Sequence, residues 1–334
     1  MPPMRRREFL GILSGGTAAW PLAARAQQGE RVRRIGVLIN ADANDPEWKR
    51  ELAAFLDQMK GNGWAENVNL HIDYRNGAGD ASRIADAAKE LVRLKPDLIL
   101  ARSTPVTRAL AQQTASIPIV FLSVSDPVGE KFAVSIAKPG SNMTGFTNVE
   151  ASMGSKWVQL LKEAVPSLKL AAILFNPAVA PARGEFYLRT IRAAAPTLGI
   201  TAETIPVGSR AEIETAVANF ARRSDGALIV MPDPFIVPNR ALVIELAARH
   251  RLPAIYGFRN MAVEGGLMSY GADLVDMLRR SAEYVDRILK GAKPSELAIQ
   301  APVKFDLVIN LKAAKALGLT IAEGFLLRAD ELIE

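Results

Sequence analysis

The sequence predicts an α/β protein built from two similar lobes, and three observations support this prediction. Short apolar runs alternate with amphipathic stretches from residue 32 onward, which is typical of parallel strands covered by helices on both faces. The alternation stops at a long loop rich in Gly, Ser, Asn and Pro, residues 122–150, and then starts again. The predicted strands are also too many for one small sheet. We therefore expect two sheets that face each other, and the long loop argues against the alternative of a single barrel.

The first half of the chain contains four predicted strands and three predicted helices. The first strand is RRIGVLIN, and the helix after it carries clear boundary signals. Asp45 can cap this helix, Pro46 fits its first position, and Gly61 and Gly63 can end it. The later elements of this half are the strand NVNLHIDYR, the helix DASRIADAAKELVRLKP, the strand DLILA, the helix TPVTRALAQQT and the strand IPIVFL.

The second half repeats the pattern in its architecture, although no sequence period repeats. Four helix–strand pairs come first: SMGSKWVQLLKEAVP with LKLAAILFN, ARGEFYLRTIRAAAPTLG with ITAETIPV, SRAEIETAVANFARRS with GALIVM, and PNRALVIELAARHR with LPAIYGF. After GGLMSYG, the chain continues with the helix ADLVDMLRRSAEYVDRILKGAKP, the strand VKFDLVIN and the helix LKAAKALG. This half therefore predicts a second parallel sheet covered by helices.

The first 26 residues predict an export signal that is removed, rather than a part of the fold. A basic head precedes an apolar run at 9–24, which is shorter than the roughly 20 residues that span a bilayer. RREFL resembles the twin-arginine export motif, and Ala24-Arg25-Ala26 is the expected cleavage site. An ordinary secretory signal and an uncleaved membrane anchor are the alternatives. We expect the mature protein in the periplasm, and the absence of Cys excludes a lipid anchor.

Composition excludes several functional classes. The signal segment carries four arginines and one glutamate, so its removal lowers the net charge from +6 to +3. No basic block is interleaved with aromatic residues, so nucleic acid is not an expected partner. With no Cys and only His71 and His250, neither a metal site, nor a Ser-His-Asp triad, nor thiol chemistry is expected. The nucleotide and hydrolase motifs GxGxxG, Walker A, GxSxG and HExxH are also missing, so we expect no enzyme and no cofactor.

Polar side chains that directly follow the predicted strands are the candidate ligand contacts, because ligands of open α/β sheets bind at the carboxyl ends of strands. Ser103 and Thr104 stand where a helix begins and can hold a carboxylate, although helix capping would also explain them. Asp126 and Asp233 can accept a ligand ammonium, and simple turns are the alternative. The full set of expected ligand-binding residues is Ser103, Thr104, Ser125, Asp126, Asn176, Asp233, Tyr256 and Tyr270, with the two tyrosines as aromatic walls.

Three segments resemble the substrate-binding proteins of ABC transporters, whose characterised members include tryptophan and tyrosine binders. They are IPIVFLSVSDPVGEKFAVSIAKPGSNMTGFTNV, GGLMSYGADLVDMLRRSAEYVDRILKGAKPSEL and FDLVINLKAAKALGLTIAEGFLLRADELIE. The resemblance implies a type I periplasmic-binding-protein fold, in which two Rossmann-like lobes are joined by a hinge of three crossovers. The chain lacks the lipobox Cys of many relatives.

The resemblance also implies the domain boundaries and the function. Lobe one is expected at 32–147 plus 262–298, lobe two at 148–261 plus 299–334, and the crossovers near 146–149, 257–266 and 298–303. Ser103, Thr104, Ser125 and Asp126 would then serve from lobe one, Asn176, Asp233 and Tyr256 from lobe two, and Tyr270 from near the hinge. The implied function is capture of a small carboxylate-bearing ligand, an amino acid or aromatic acid, by hinge closure.

The implied partner is an ABC permease in the inner membrane, on which a monomeric binding protein would dock. Two alternatives stay open at this point. One is a ligand-binding sensory partner of a membrane receptor, and the other is a secreted enzyme.

Overall fold

The computed structural model describes residues 32–223 and 226–334, which form two α/β lobes around two separate sheets. The predicted export signal, residues 1–26, lies outside the described residues. Within the described part of the chain, no helix combines the length and the apolar character that crossing a membrane requires.

Lobe one contains a parallel sheet of five strands in the order β2-β1-β3-β4-β5. Its elements in chain order are β1 (Arg33–Ile39), α1 (Pro46–Gly61), β2 (Leu70–Asn76), α2 (Ala81–Arg93), β3 (Leu98–Arg102), α3 (Thr104–Ala111), β4 (Ile119–Leu122) and β5 (Met143–Phe146). The predicted cap of α1 is confirmed, because Asp45 accepts hydrogen bonds from the backbone N–H groups of Glu47 and Trp48 at 2.9 and 3.2 Å. Strand β5 lies inside the segment 122–150 that the sequence predicted to be a long loop, so this strand was not expected.

Lobe two contains a sheet of seven strands in the order β12-β11-β10-β9-β8-β6-β7, in which only β10 and β11 pair antiparallel among the described strands. Its strands are β6 (Leu170–Phe175), β7 (Thr201–Pro206), β8 (Gly226–Val230), β9 (Ala254–Tyr256), β10 (Met268–Ala272), β11 (Phe305–Asn310) and β12 (Glu331–Ile333). The helices after β5 are α4 (Met153–Ala164), α5 (Glu185–Thr197), α6 (Arg210–Phe220), α7 (Arg240–Arg249), α8 (Arg259–Val263), α9 (Leu274–Leu289), α10 (Leu311–Ala316) and α11 (Glu323–Leu326).

The chain passes between the lobes three times, and the second passage lies later than expected. Strand β10 pairs with β9 and β11, so residues 268–272 belong to lobe two. Helix α9 then packs in the apolar core of lobe one, where Leu278 and Val285 share a buried cluster with Phe55 of α1. The crossover expected at 257–266 therefore falls between β10 and α9. The run GGLMSYG contains glycines that are typical of a hinge, but its residues from Met268 onward belong to the largely buried strand β10 of the second sheet.

Candidate functional site

A cavity of about 430 Å³ lies between the two lobes, at the carboxyl ends of strands from both sheets. Lobe one contributes the residues after β1, β3 and β4, and lobe two contributes Pro232 to Pro234 after β8 and Phe258 to Asn260 after β9. A cavity of this volume has the size of a typical small-molecule site. Its position agrees with the expectation that ligand contacts lie at strand ends.

The floor of the cavity contains a buried ion pair that no local sequence pattern indicates. Arg102, the last residue of β3, donates from Nε and from NH2 to the two carboxylate oxygens of Glu51, both at 2.7 Å. The Glu51 side chain is 2% exposed and that of Arg102 is 19% exposed. The guanidinium also lies 6.0 Å from the ring centroid of Trp48, within reach of a cation–π interaction.

The protonation states of this pair follow from burial and mutual attraction. Burial raises the pKa of the Glu51 carboxyl, and the Arg102 guanidinium opposes that rise. Burial disfavours the charge of Arg102, but attraction to Glu51 holds the pKa of the guanidinium above its ordinary value. Arg102 therefore keeps its positive charge. Its N–H groups that do not contact Glu51 have no hydrogen-bond partner among the described residues, so they can bind an acceptor in the cavity.

Ser103 and Thr104 both line the cavity at the start of α3, as the sequence predicted. The backbone of Ser103 has φ 103° and ψ 156°, a conformation that only glycine adopts easily. Its hydroxyl does not cap α3, and the Oγ atom is buried without a hydrogen-bond partner in the described structure. Ser103 thus combines a strained backbone with an unused polar atom beside Arg102.

We expect Ser103→Gly to raise the free energy of unfolding slightly, by up to about 1 kcal/mol. Glycine removes the strain at this φ angle, and its greater entropy in the unfolded chain offsets only part of that gain. Chemical denaturation of the variant and the parent measures the difference. The control is Ser116→Gly, at an exposed loop position without a positive φ, which should be neutral or destabilising. Equal losses of stability in both variants would contradict the strain at Ser103.

Ser125 and Asp126 both follow β4, but only Ser125 lines the cavity. Ser125 lines it, and its hydroxyl is 3.2 Å from the side-chain oxygen of Asn148, which is also a cavity residue. Asp126 lies outside the cavity lining, and its carboxylate accepts a hydrogen bond from the backbone N–H of Gly129 at 2.8 Å. That contact is the turn role that competed with ligand binding in the sequence analysis.

Asp233 lines the cavity, but its carboxylate oxygens already hold the backbone around them. Oδ1 accepts hydrogen bonds from the N–H groups of Phe235 and Ile236, and Oδ2 accepts one from Asn176, each at 2.8 Å. The residue is 1% exposed. Burial raises the pKa of Asp233, and the three backbone N–H groups oppose that rise. This geometry differs from the expectation of an ammonium acceptor, because these contacts use Asp233 to join the ends of β6 and β8.

Asn176, Tyr256 and Tyr270 were expected in the site, and the structure places all three outside the cavity lining. The side chain of Asn176 accepts from the backbone N–H of Ala178, which closes a turn. Tyr256 is 1% exposed in the core of lobe two, where burial raises its pKa. Tyr270 stacks on Phe305, with ring centroids 5.8 Å apart. Both tyrosines are part of strands, β9 and β10, and neither borders the cavity.

The aromatic surface of the cavity comes instead from Trp48 and Phe258. Trp48 also belongs to the apolar core of lobe one, so it serves both the core and the cavity wall. Phe258 was not among the expected ligand contacts. Its position just beyond the end of β9 could have indicated that it lines the cavity. In the described residues, no group of His, Asp and Glu side chains is arranged to hold a metal ion.

Several known proteins are similar to this chain over most of its length. A tyrosine-binding protein of Clostridioides difficile (strain R20291) is 24% identical over 272 residues, which cover 81% of this chain and 77% of the relative. The crystal structure of a conserved domain protein from Vibrio cholerae is 28% identical and covers 90% of this chain and 100% of that one, with a TM-score of 0.79. An ABC domain from Streptococcus pneumoniae in complex with L-Trp is also 28% identical, with coverage of 90% and 99% and a TM-score of 0.79.

These likenesses confirm the type I periplasmic-binding-protein fold that the resemblance implied. Residues 35–333 match a single protein family, described as ABC transporter substrate binding protein. The match spans both lobes and all three crossovers. The chain therefore belongs to the family of ABC transporter substrate-binding proteins.

Proposed function

We propose that this protein is the solute receptor of an ABC importer and captures a small carboxylate-bearing ligand, an amino acid or an aromatic acid, by closing its lobes. The observation that carries the proposal is the cavity, which is lined by strand-end residues of both lobes. A ligand that contacts both lobes binds the closed state better than the open one, and this difference shifts the population toward closure. The family membership supports a binding role in transport.

The anionic end of the ligand would bind beside α3. Arg102 offers free N–H groups, Ser103 offers an unpartnered hydroxyl, and the first backbone N–H groups of α3 carry the positive end of the helix dipole. A carboxylate satisfies donors of all three kinds. The unpartnered Ser103 hydroxyl in particular supports a ligand contact, since buried polar groups are rarely left without a partner.

The cationic end would bind at Asp306 in place of Asp233. The Asp306 side chain lines the cavity and is 15% exposed, and its nearest cation is the ammonium of Lys304 at 3.8 Å. Lys304 donates instead to Asp273, at 2.8 Å. Burial and the nearby Asp273 raise the pKa of Asp306, so a ligand ammonium there would stabilise its charge. An aromatic ligand side chain would contact Trp48 and Phe258.

The cellular setting follows from the same proposal. The export signal expected at residues 1–26 would deliver the mature chain to the periplasm, where the closed form would dock as a monomer on a permease in the inner membrane. The role needs no cofactor and no catalytic residue.

Calorimetric titration and thermal unfolding with four related compounds test the ligand class: L-tryptophan, L-tyrosine, tryptamine and indole-3-propionate. We expect an amino acid to bind best, and tryptamine to bind worst because it lacks the carboxylate. A bound ligand at 100 times its dissociation constant should add about 2.7 kcal/mol to the free energy of unfolding. The proposal is wrong if neither these compounds nor a broad library of amino acids and carboxylic acids stabilises the protein.

A further inference from the structure

Two arginines of lobe two reach across the cleft and contact the first turn of one helix in lobe one. Arg259, at the start of α8, pairs with the carboxylate of Glu47, the second residue of α1. Arg240, at the start of α7, lies 4.0 Å from the carboxylate of Asp45, the cap of α1. Both contacts border the cavity, because all four residues line it.

Each arginine is also anchored within its own lobe by a second acid. Arg259 donates to Glu331 of β12 from Nε and NH2, at 2.7 and 2.6 Å. Arg240 donates from Nε to both carboxylate oxygens of Glu264, at 2.9 and 2.8 Å. A guanidinium held in this way by a carboxylate has little freedom left. These contacts within lobe two help to hold the two side chains in the direction of lobe one.

The contacts are partly shielded from water, which makes them stronger than ordinary surface pairs. The side chains of Arg259 and Glu47 are 22% and 23% exposed. Burial opposes the charge of Arg259, but its hydrogen bond to Glu331 and its attraction to Glu47 hold its pKa above the ordinary value. The guanidinium thus stays charged throughout the physiological range of pH.

The helix that receives both contacts also forms the floor of the cavity. Trp48 and Glu51 lie in α1 directly after Asp45 and Glu47, and Glu51 holds Arg102. Contacts to the first turn of α1 therefore fix the lobe closure and the floor of the site together.

We propose that Arg240 and Arg259, with Asp45 and Glu47, form an electrostatic latch that holds the lobes closed, so that the closed state is populated even without a ligand. The two arginines are positioning residues, since they act through α1. The latch joins the lobes directly, and its test therefore needs no ligand and does not depend on the proposed ligand class.

The distance between the lobes in the ligand-free protein tests the latch. The chain has no cysteine, so Lys89→Cys on α2 and Glu214→Cys on α6 provide two exposed labelling positions, one in each lobe. Electron–electron resonance between spin labels then reports the closed and open populations. At low ionic strength we expect Glu47→Gln to lower the ratio of closed to open about fivefold, the upper range for a single partly exposed pair. Asp45→Asn should have a smaller effect, because its contact is longer and asparagine still caps the helix.

The control is Glu185→Gln, which removes an acid from the first turn of α5. Glu185 pairs with Arg192 of the same helix, so this pair does not join the lobes. This variant should leave the distance distribution unchanged. Arg259→Gln should open the protein as Glu47→Gln does, and the double variant should be no more open than either single variant. Salt at 1 M should open the parent protein and have little further effect on Glu47→Gln.

Two results would overturn the latch. One is an interlobe distance distribution that is the same in Glu47→Gln and Arg259→Gln as in the parent and the Glu185→Gln control, measured at low ionic strength. The other is a parent protein that is open without ligand whatever the salt concentration.

Discussion

Replacing Arg102 with methionine should lower the free energy of unfolding by about 3–5 kcal/mol at neutral pH. Methionine fills much of the same volume but leaves the Glu51 carboxylate, 2% exposed, without its partner. Breaking a buried ion pair from one side is costly because the remaining charge stays buried and uncompensated. Urea unfolding followed by circular dichroism measures the difference from the parent protein.

Two further variants separate this effect from a general loss of packing. The double variant Glu51→Gln with Arg102→Met should recover much of the lost stability, since it buries no net charge. Arg75→Met removes one side of the Arg75–Glu90 pair, whose side chains are 37% and 48% exposed, and should cost less than about 1 kcal/mol. If Arg102→Met lowered the free energy of unfolding as little as Arg75→Met does, the buried Arg102–Glu51 pair would not be important for stability.

The same variant should show a characteristic dependence on pH. Without Arg102, burial alone acts on Glu51 and raises the pKa of its carboxyl further in the folded state. The unfolded chain then releases the Glu51 proton at a lower pH than the folded protein does. The pKa of Glu51 is already raised in the parent, so the stability of Arg102→Met relative to the parent should fall as the pH rises from the folded-state pKa of Glu51 in the parent to its still higher value in the variant. A stability difference that stays constant over this range would contradict the assignment.

The two-lobed α/β fold could be predicted from the sequence because local patterns specify it. Strand runs such as LILA of β3 are continuously apolar, and helices such as α1 carry a cap and an apolar face. The second crossover was misplaced because GGLMSYG has the glycines of a loop, and only its pairing with β9 and β11 identifies it as β10. Pairing between distant segments is not encoded in any local pattern.

The candidate site could be predicted only in part. Its location at strand ends follows from topology, and so Ser103, Thr104, Ser125 and Asp233 do line the cavity. The charged contacts were missed because their partners are far apart in sequence. Arg102 and Glu51 are 51 residues apart, and Arg259 and Glu47 are 212 residues apart. Neither pair has a spacing that a helix or a strand would make informative.

Asp233→Ala should act on folding much more than on ligand binding, lowering the free energy of unfolding by about 3 kcal/mol. Alanine leaves the backbone N–H groups of Asn176, Phe235 and Ile236 without their acceptor in a buried position. Each such buried donor costs about 1–3 kcal/mol when it is unsatisfied, and entering water would recover part of the total. Urea unfolding measures the change, and titration with L-tryptophan at a temperature where the variant is folded measures any change in affinity.

Asp126→Ala is the matched control, because Asp126 also follows a strand and precedes a proline. Its carboxylate accepts one backbone hydrogen bond in an exposed turn, so its loss should cost about 1 kcal/mol or less. Asp233→Asn should fall between the two, since its amide oxygen can still accept from Phe235 and Ile236 while its amide group faces the N–H of Asn176. If Asp233→Asn instead kept full stability and lost its affinity for amino acids, Asp233 would be a ligand contact, and the three backbone hydrogen bonds would be incidental to its role.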